Sequence, residues 1–208
     1  ELEIIGCADA IMVSCTEEQA QFQSLYGSAP GAIEVVAPGV ERAFFSPGDR
    51  RGARHALGLG SGPMLLFVGR IQPLKGLDVA VRTLAELGRN DAQLIVVGGA
   101  SGVEGAIELA RVEALIQELG LVGRVKFYEP QPHHLLSTFY RAADVVLVPS
   151  RSESFGLVAL EAAACGIPVV ATAVGGLMNL IEDGKTGFLV PGRDVSGFAR
   201  YTRRLLDD

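Results

Sequence analysis

Two short stretches of this sequence hold the residue types that chemistry needs. The first is Gly69-Arg70-Ile71-Gln72-Pro73-Leu74-Lys75-Gly76, directly after an apolar run at 64–68. Gly69 permits a sharp exit from a strand, and Arg70 and Lys75 set two cations near the start of a helical pattern. A helix N-terminus already favours anions. Arg adds two parallel donors that fit phosphate oxygens, and Lys adds a mobile point charge. Phosphate binding is the chemistry expected here; two ordinary solvated charges are the plainer alternative. The second stretch is Ser150-Arg151-Ser152-Glu153-Ser154-Phe155-Gly156-Leu157, after an apolar run at 145–148. Ser152 or Ser154 can cap the following helix, whose free N–H groups would face an anion. Eight residues beyond Glu153 stands Glu161, amid Val158, Leu160, Ala162 and Ala163. A carboxylate in such company needs a partner, because an unpaired buried charge is costly. With Glu161 roughly 9 Å beyond the helix start at about 1.5 Å per residue, the spacing suits a diphosphate at the helix end, a sugar at Glu153 and a ribose diol at Glu161. Against it stand a helix-dipole charge for Glu153 and a structural ion pair for Glu161.

These residues need a scaffold, and the chain supplies a regular one. Apolar, β-branched runs at 64–68, 94–97, 125–128, 145–148, 169–171 and 188–190 read as strands. Helical patterns near 77–87, 105–119, 133–142, 156–165 and 195–206 fall between most of them. Several strands are apolar at successive positions, so both faces are covered, as in a parallel sheet flanked by helices. Repeated βα units predict an α/β fold with a doubly wound, Rossmann-like parallel sheet, whose ligands sit beyond the carboxyl ends of the strands. Upstream, strands at 10–14 and 33–36 flank a helix at 16–26, with Thr16 as the expected N-cap. Ala37-Pro38-Gly39 and Ser46-Pro47-Gly48 bracket a segment too broken for regular structure. That places the boundary between residues 1–46, the tail of a preceding domain plus a hinge, and residues 47–208, the main domain. A lone strand–helix–strand cannot bury its own faces, and the chain stops inside a helix at Leu205-Leu206-Asp207-Asp208, so both ends read as cut.

Composition narrows the function classes. A formal net charge of −6 argues against a broad nucleic-acid or anionic-membrane surface. Cys7, Cys15 and Cys165 are odd in number, lack CxxC spacing and sit among apolar residues, which favours reduced, buried thiols in a cytoplasmic protein. His55, His133 and His134 are not spaced with them as zinc ligands, and no metal site is expected. The start, Glu1-Leu2-Glu3, is acidic where a signal peptide would be basic. The longest apolar stretch, 157–177, is broken by Glu161, by Gly166-Ile167-Pro168 and by Gly175-Gly176, so it reads as helix, turn, strand and loop. Gly184-Lys185-Thr186 resembles the end of a P-loop, but Asn179 occupies the required glycine position and a strand follows in place of a helix. Val97-Gly98-Gly99-Ala100-Ser101-Gly102 can approach a phosphate but lacks GxGxxG spacing, and a bland turn is the expectation. His133-His134 should open a surface helix, and Asp144 should help end one.

In this order the loops resemble the retaining glycosyltransferases of the twin-Rossmann (GT-B) fold, group 1. The resemblance runs from Ala37-Pro38-Gly39-Val40 through Gly69-Arg70 and Lys75-Gly76 to Glu153-Ser154-Phe155-Gly156 with Glu161, Gly166-Ile167-Pro168-Val169-Val170, Val174-Gly175-Gly176 and Asp183-Gly184-Lys185-Thr186-Gly187. The paired glutamates are the family's hallmark. Within it, Val68-Gly69-Arg70-Ile71-Gln72-Pro73-Leu74-Lys75 is most similar to the mycothiol-pathway branch, which joins N-acetylglucosamine from UDP to inositol phosphate. The resemblance implies a donor-binding domain that presents a nucleoside diphosphate sugar, a UDP-sugar in that branch, to a hydroxyl acceptor. It assigns Arg70 and Lys75, beside Gly69, to the donor diphosphate and the departing nucleotide. Glu153 would hold sugar hydroxyls with main-chain N–H groups around Ser154, Phe155, Gly156 and Leu157, and Glu161 would take the ribose. The base would rest near Glu129-Pro130-Gln131, although close relatives often carry Arg where Gln131 stands. The nucleotide sugar is a substrate, so no cofactor is implied, and Arg and Lys take the place of a catalytic metal. The acceptor site and further catalytic groups would lie on the preceding domain, leaving this piece inactive in transfer by itself. Two other readings stay open: another twin-Rossmann enzyme such as an epimerase or phosphorylase, or a non-catalytic nucleotide-binding module.

Overall fold

A computed structural model of the chain describes residues 2–27 and 31–207. The elements are α1 (Leu2–Cys7), β1 (Ala10–Val13), α2 (Thr16–Tyr26), β2 (Ala32–Val35), α3 (Arg50–Ala56), β3 (Met64–Val68), α4 (Leu77–Glu86), β4 (Gln93–Val97) and α5 (Gly102–Glu118). They continue with β5 (Val125–Tyr128), α6 (His133–Ala142), β6 (Val145–Val148), α7 (Leu157–Ala164), β7 (Val169–Thr172), α8 (Leu177–Leu180), β8 (Gly187–Val190) and α9 (Val195–Asp207). The main sheet has six parallel strands in the order β5-β4-β3-β6-β7-β8. The unbroken apolar runs explain themselves in it. Leu65, Phe67, Leu94, Val96, Val145 and Leu147 face the layer of α4, α5 and α9. Met64, Leu66, Ile95, Val97, Val146 and Val148 face α3, α6 and α7. Alternate side chains enter opposite cores, so both must be apolar. The order reverses beside β3: the chain runs outward to β4 and β5, then returns to β6 on the other side. That reversal is the topological switch point where such sheets bind ligands.

The N-terminal residues form a separate two-stranded parallel pair, β1 with β2. Its helix α2 has no buried residue, and Met12 and Leu25 stand exposed. It touches the main body where the Cys15 thiol donates to the Ser154 carbonyl over 3.1 Å and Asn179 bonds the Glu17 carboxylate.

Several local expectations need correction. Residues after the broken 37–48 segment form α3, which the sequence did not suggest. Asp49 caps it, its carboxylate accepting from the Arg51 and Gly52 N–H groups at 3.0 Å. Cys15, not Thr16, occupies the N-cap of α2. Cys7 is exposed, while Cys15 and Cys165 are buried as expected. Asp144 follows the end of α6 at Ala142, as expected, and it also acts as a tie: it accepts from Arg54 at 2.6 Å, Arg50 at 2.9 Å and the Met64 N–H at 2.7 Å, fixing α3 to the start of β3.

Candidate functional site

At the switch point the chain leaves β3 through Gly69 and leaves β6 through Pro149-Ser150, and the two exits bound one cleft. A cavity of about 510 Å³ is lined by Gly69, Arg70, Lys75, His133, Leu136, Ser150, Glu153, Leu157, Val158 and Glu161, among others. A second, of about 340 Å³, adjoins it through shared walls at Val68, Gly69, Arg70 and Leu136. Its remaining walls are Val97–Ser101, Pro130 and Gln131, whose side-chain amide donates to the Glu129 carbonyl at 2.8 Å. The Val97–Gly102 turn, expected to be bland, is therefore a wall of the cleft.

Two of the helices that start at the cleft, α4 and α7, follow a glycine. Gly76 precedes α4 and Gly156 precedes α7, each in the left-handed region and without a side-chain cap. Neither Ser152 nor Ser154 caps α7, so the first N–H groups of both helices stay uncapped by any side chain. The loops are stitched to one another, the Arg151 N–H donating to the Leu74 carbonyl at 2.8 Å. A third turn supports them from below: the Gly176 N–H donates to the Glu153 carbonyl at 3.1 Å. Gly175, at φ +48, passes so close that a Cβ there would collide with that carbonyl oxygen. Ser154, Phe155 and Gly156 carry this backbone scaffold and are not among the cavity walls.

The charged side chains are arranged unequally. Arg70 is exposed at the rim and bonds no described residue. Lys75 Nζ lies 2.7 Å from Glu153 Oε2, which also accepts from Ser150 Oγ at 3.3 Å. Glu161 stands on the second turn of α7, nearer the helix start than the sequence spacing suggested because α7 begins at Leu157. It makes no ion pair among the described residues. Its partner is Tyr140 on α6, whose hydroxyl donates to Glu161 Oε2 at 2.6 Å. Burial raises the Glu161 carboxyl above its usual range, against the Tyr140 hydrogen bond and the nearby His133. Burial, and then the Glu161 charge, push Tyr140 well above the ordinary phenol range. A buried carboxylate that faces a cavity and is held by a single hydroxyl donor has acceptor capacity left for further hydroxyl donors. Leu136 and Tyr140 are the site residues that the sequence did not single out, and His133, expected to open a surface helix, lines the cavity as well. Among the described residues, no group of three His, Cys, Asp or Glu side chains is placed to hold a metal ion.

A six-stranded parallel sheet with an open cleft at its switch point, with Arg70 and Lys75 on the loop after β3 and Glu153 and Glu161 on the loop and helix after β6, defines a Rossmann-type α/β domain. Residues 49–208 match the family profile described as Glycosyl transferases group 1, and the chain belongs to that family. It is 48% identical to the D-inositol 3-phosphate glycosyltransferase of Acidothermus cellulolyticus over 214 residues, covering 100% of this chain and 48% of that protein. Among solved structures, sucrose-phosphate synthase from Thermosynechococcus elongatus superposes with a TM-score of 0.90 at 37% identity, covering 100% of this chain and 51% of that one. Anabaena Alr3699/HepE in complex with UDP-glucose gives a TM-score of 0.91 at 27% identity, with coverages of 100% and 57%. The chain thus spans about half the length of the curated relatives it matches. Among the described residues, no helix is long and apolar enough to cross a membrane.

Proposed function

We propose that the cleft holds the nucleoside diphosphate sugar donor of a retaining glycosyltransferase, with UDP-N-acetylglucosamine the first candidate. The observation that supports it is the gathering of Arg70, Lys75, Glu153 and Glu161 around one cavity at the switch point. The diphosphate lies against Arg70, Lys75 and the uncapped starts of α4 and α7, the sugar against Glu153 and the ribose against Glu161. The base enters the adjoining cavity beside Gly99, Pro130 and Gln131. The glycosidic bond to the diphosphate breaks as the acceptor hydroxyl attacks on the same face of the sugar. Arg70 and Lys75 stabilise the charge that grows on the leaving diphosphate, and the leaving phosphate oxygen takes the acceptor's proton. Catalysis is then positioning and electrostatic stabilisation. The name of the Acidothermus relative makes D-inositol 3-phosphate the acceptor to test first, and the complex named for HepE supports uridine as the base. The three free thiols support a reducing, cytoplasmic setting.

The test is a double-mutant cycle on the ribose. UDP and 2′-deoxy-UDP are titrated against the parent and Glu161→Ala. A hydrogen bond to a charged group is worth about 1.5–3 kcal/mol, so the deoxy analogue should bind the parent about tenfold more weakly or worse. It should lose nothing further against the variant. Zero coupling would remove Glu161 from the ribose, and a fall in melting temperature alone would leave it a structural residue.

A further inference from the structure

Lys75 and Glu153, assigned above to different parts of the donor, are bonded to each other at 2.7 Å. Their side chains are 22% and 18% exposed, so the pair is shielded from most solvent. Both backbones are anchored: Lys75 N–H donates to the Gln72 carbonyl at 3.0 Å, and the Glu153 carbonyl accepts from Gly176 N–H at 3.1 Å. Side-chain rotation is therefore enough to separate them. Arg70, the other cation of the cleft, bonds no described residue and is available to a ligand at once.

We propose that Glu153 is a specificity-determining residue, one that makes the site prefer a nucleotide sugar over the bare nucleoside diphosphate by competing with the diphosphate for Lys75. The proposal rests on the donor-site reading above. A bare diphosphate must draw Lys75 away, which leaves a largely buried carboxylate without its countercharge and close to a second anion. A diphosphate that carries a sugar brings hydroxyl donors to Glu153, and these replace what Lys75 gave it. Lys75 is then free to neutralise the diphosphate. Once the sugar has passed to the acceptor, Glu153 recaptures Lys75 and the grip on the spent nucleotide weakens. The exchange involves only hydrogen bonds and ion pairing; no covalent bond changes at either side chain.

The experiment measures calorimetric affinities of UDP and UDP-N-acetylglucosamine for the parent, Glu153→Gln and Glu153→Asp. Gln keeps the shape and removes the charge. Asp keeps the charge but retracts it by one methylene, out of contact with Lys75. Glu153→Gln should bind UDP about tenfold more tightly than the parent. It should gain less for the nucleotide sugar, so that the preference for the sugar-bearing ligand falls. Glu153→Asp should also tighten UDP binding, by a smaller factor, because Lys75 is released although the charge remains. UDP affinity unchanged or weakened in Glu153→Gln overturns the proposal. So does a Glu153→Asp protein that matches the parent, since the effect would then be charge alone and not the pair. If the parent itself binds no UDP, the donor-site reading fails first and the proposal falls with it.

Discussion

At the scale of single residues, Glu161 is a buried carboxylate held by the Tyr140 hydroxyl. Its apolar neighbours on α7 marked it as a carboxylate in need of a partner, and the structure buries it as expected. The partner could not be read, because Tyr140 lies 21 residues upstream and meets it only when α6 packs beside α7. The same holds for His133, which enters the cavity through the tertiary placement of the α6 start. Arg70, Lys75 and Glu153 were legible because they sit on loops directly after strands, where position alone implies the cleft; their pairing was not. The raised Glu161 pKa has a consequence for stability. Between the unfolded carboxylate value, about 4.3, and the higher folded value, the folded chain keeps a proton that the unfolded chain has released. Stability contributed at this site therefore falls as pH rises through that window, and it is fully present below it. Melting temperatures of the parent and Glu161→Gln should thus draw apart from about pH 4.3 upward, the parent losing stability that the variant keeps. Curves that stay parallel would show that Glu161 titrates normally.

Elements were legible where periodicity was strong and illegible where capping or tertiary contact decides. The six strands of the main sheet appear within a residue or so of their expected positions. The α3 helix was missed because Arg-Arg-Gly-Ala-Arg-His-Ala has no apolar stripe; the Asp49 cap and the Asp144 tie hold it instead. The starts of α4 and α7 are set by glycine in the left-handed region, where the sequence suggested serine caps for α7. Gly175 controls the loop above α8. Its φ of +48 and the approach of the Glu153 carbonyl leave no room for a side chain. Gly175→Ala should cost about 1–3 kcal/mol of stability and weaken nucleotide-sugar binding by displacing Glu153. Gly184→Ala is the control: it too has positive φ, at +78, but open space where a Cβ would sit. It should lose less stability and retain ligand affinity. Equal affinity losses in the two variants would separate the Gly175 turn from the donor loop.

At the scale of the molecule, the alternation of apolar side chains between two cores carried the fold class, because a sheet covered on both faces leaves no other pattern. The order of the strands was not in the sequence. It follows from which strands pair, and it is the order that creates the switch point and brings the loops after β3 and β6 together. In the β1–α2–β2 unit, Met12 and Leu25 stand exposed. The central claim is that this cleft grips a nucleoside diphosphate through its phosphates. Calorimetric titration of UDP and of uridine into the parent, Arg70→Ala and Lys75→Ala tests it most directly. UDP should bind the parent, each substitution should weaken that binding about tenfold or more, and uridine should not distinguish the three proteins. Two variants that bind UDP as the parent does, or a parent that does not bind UDP, would contradict the account.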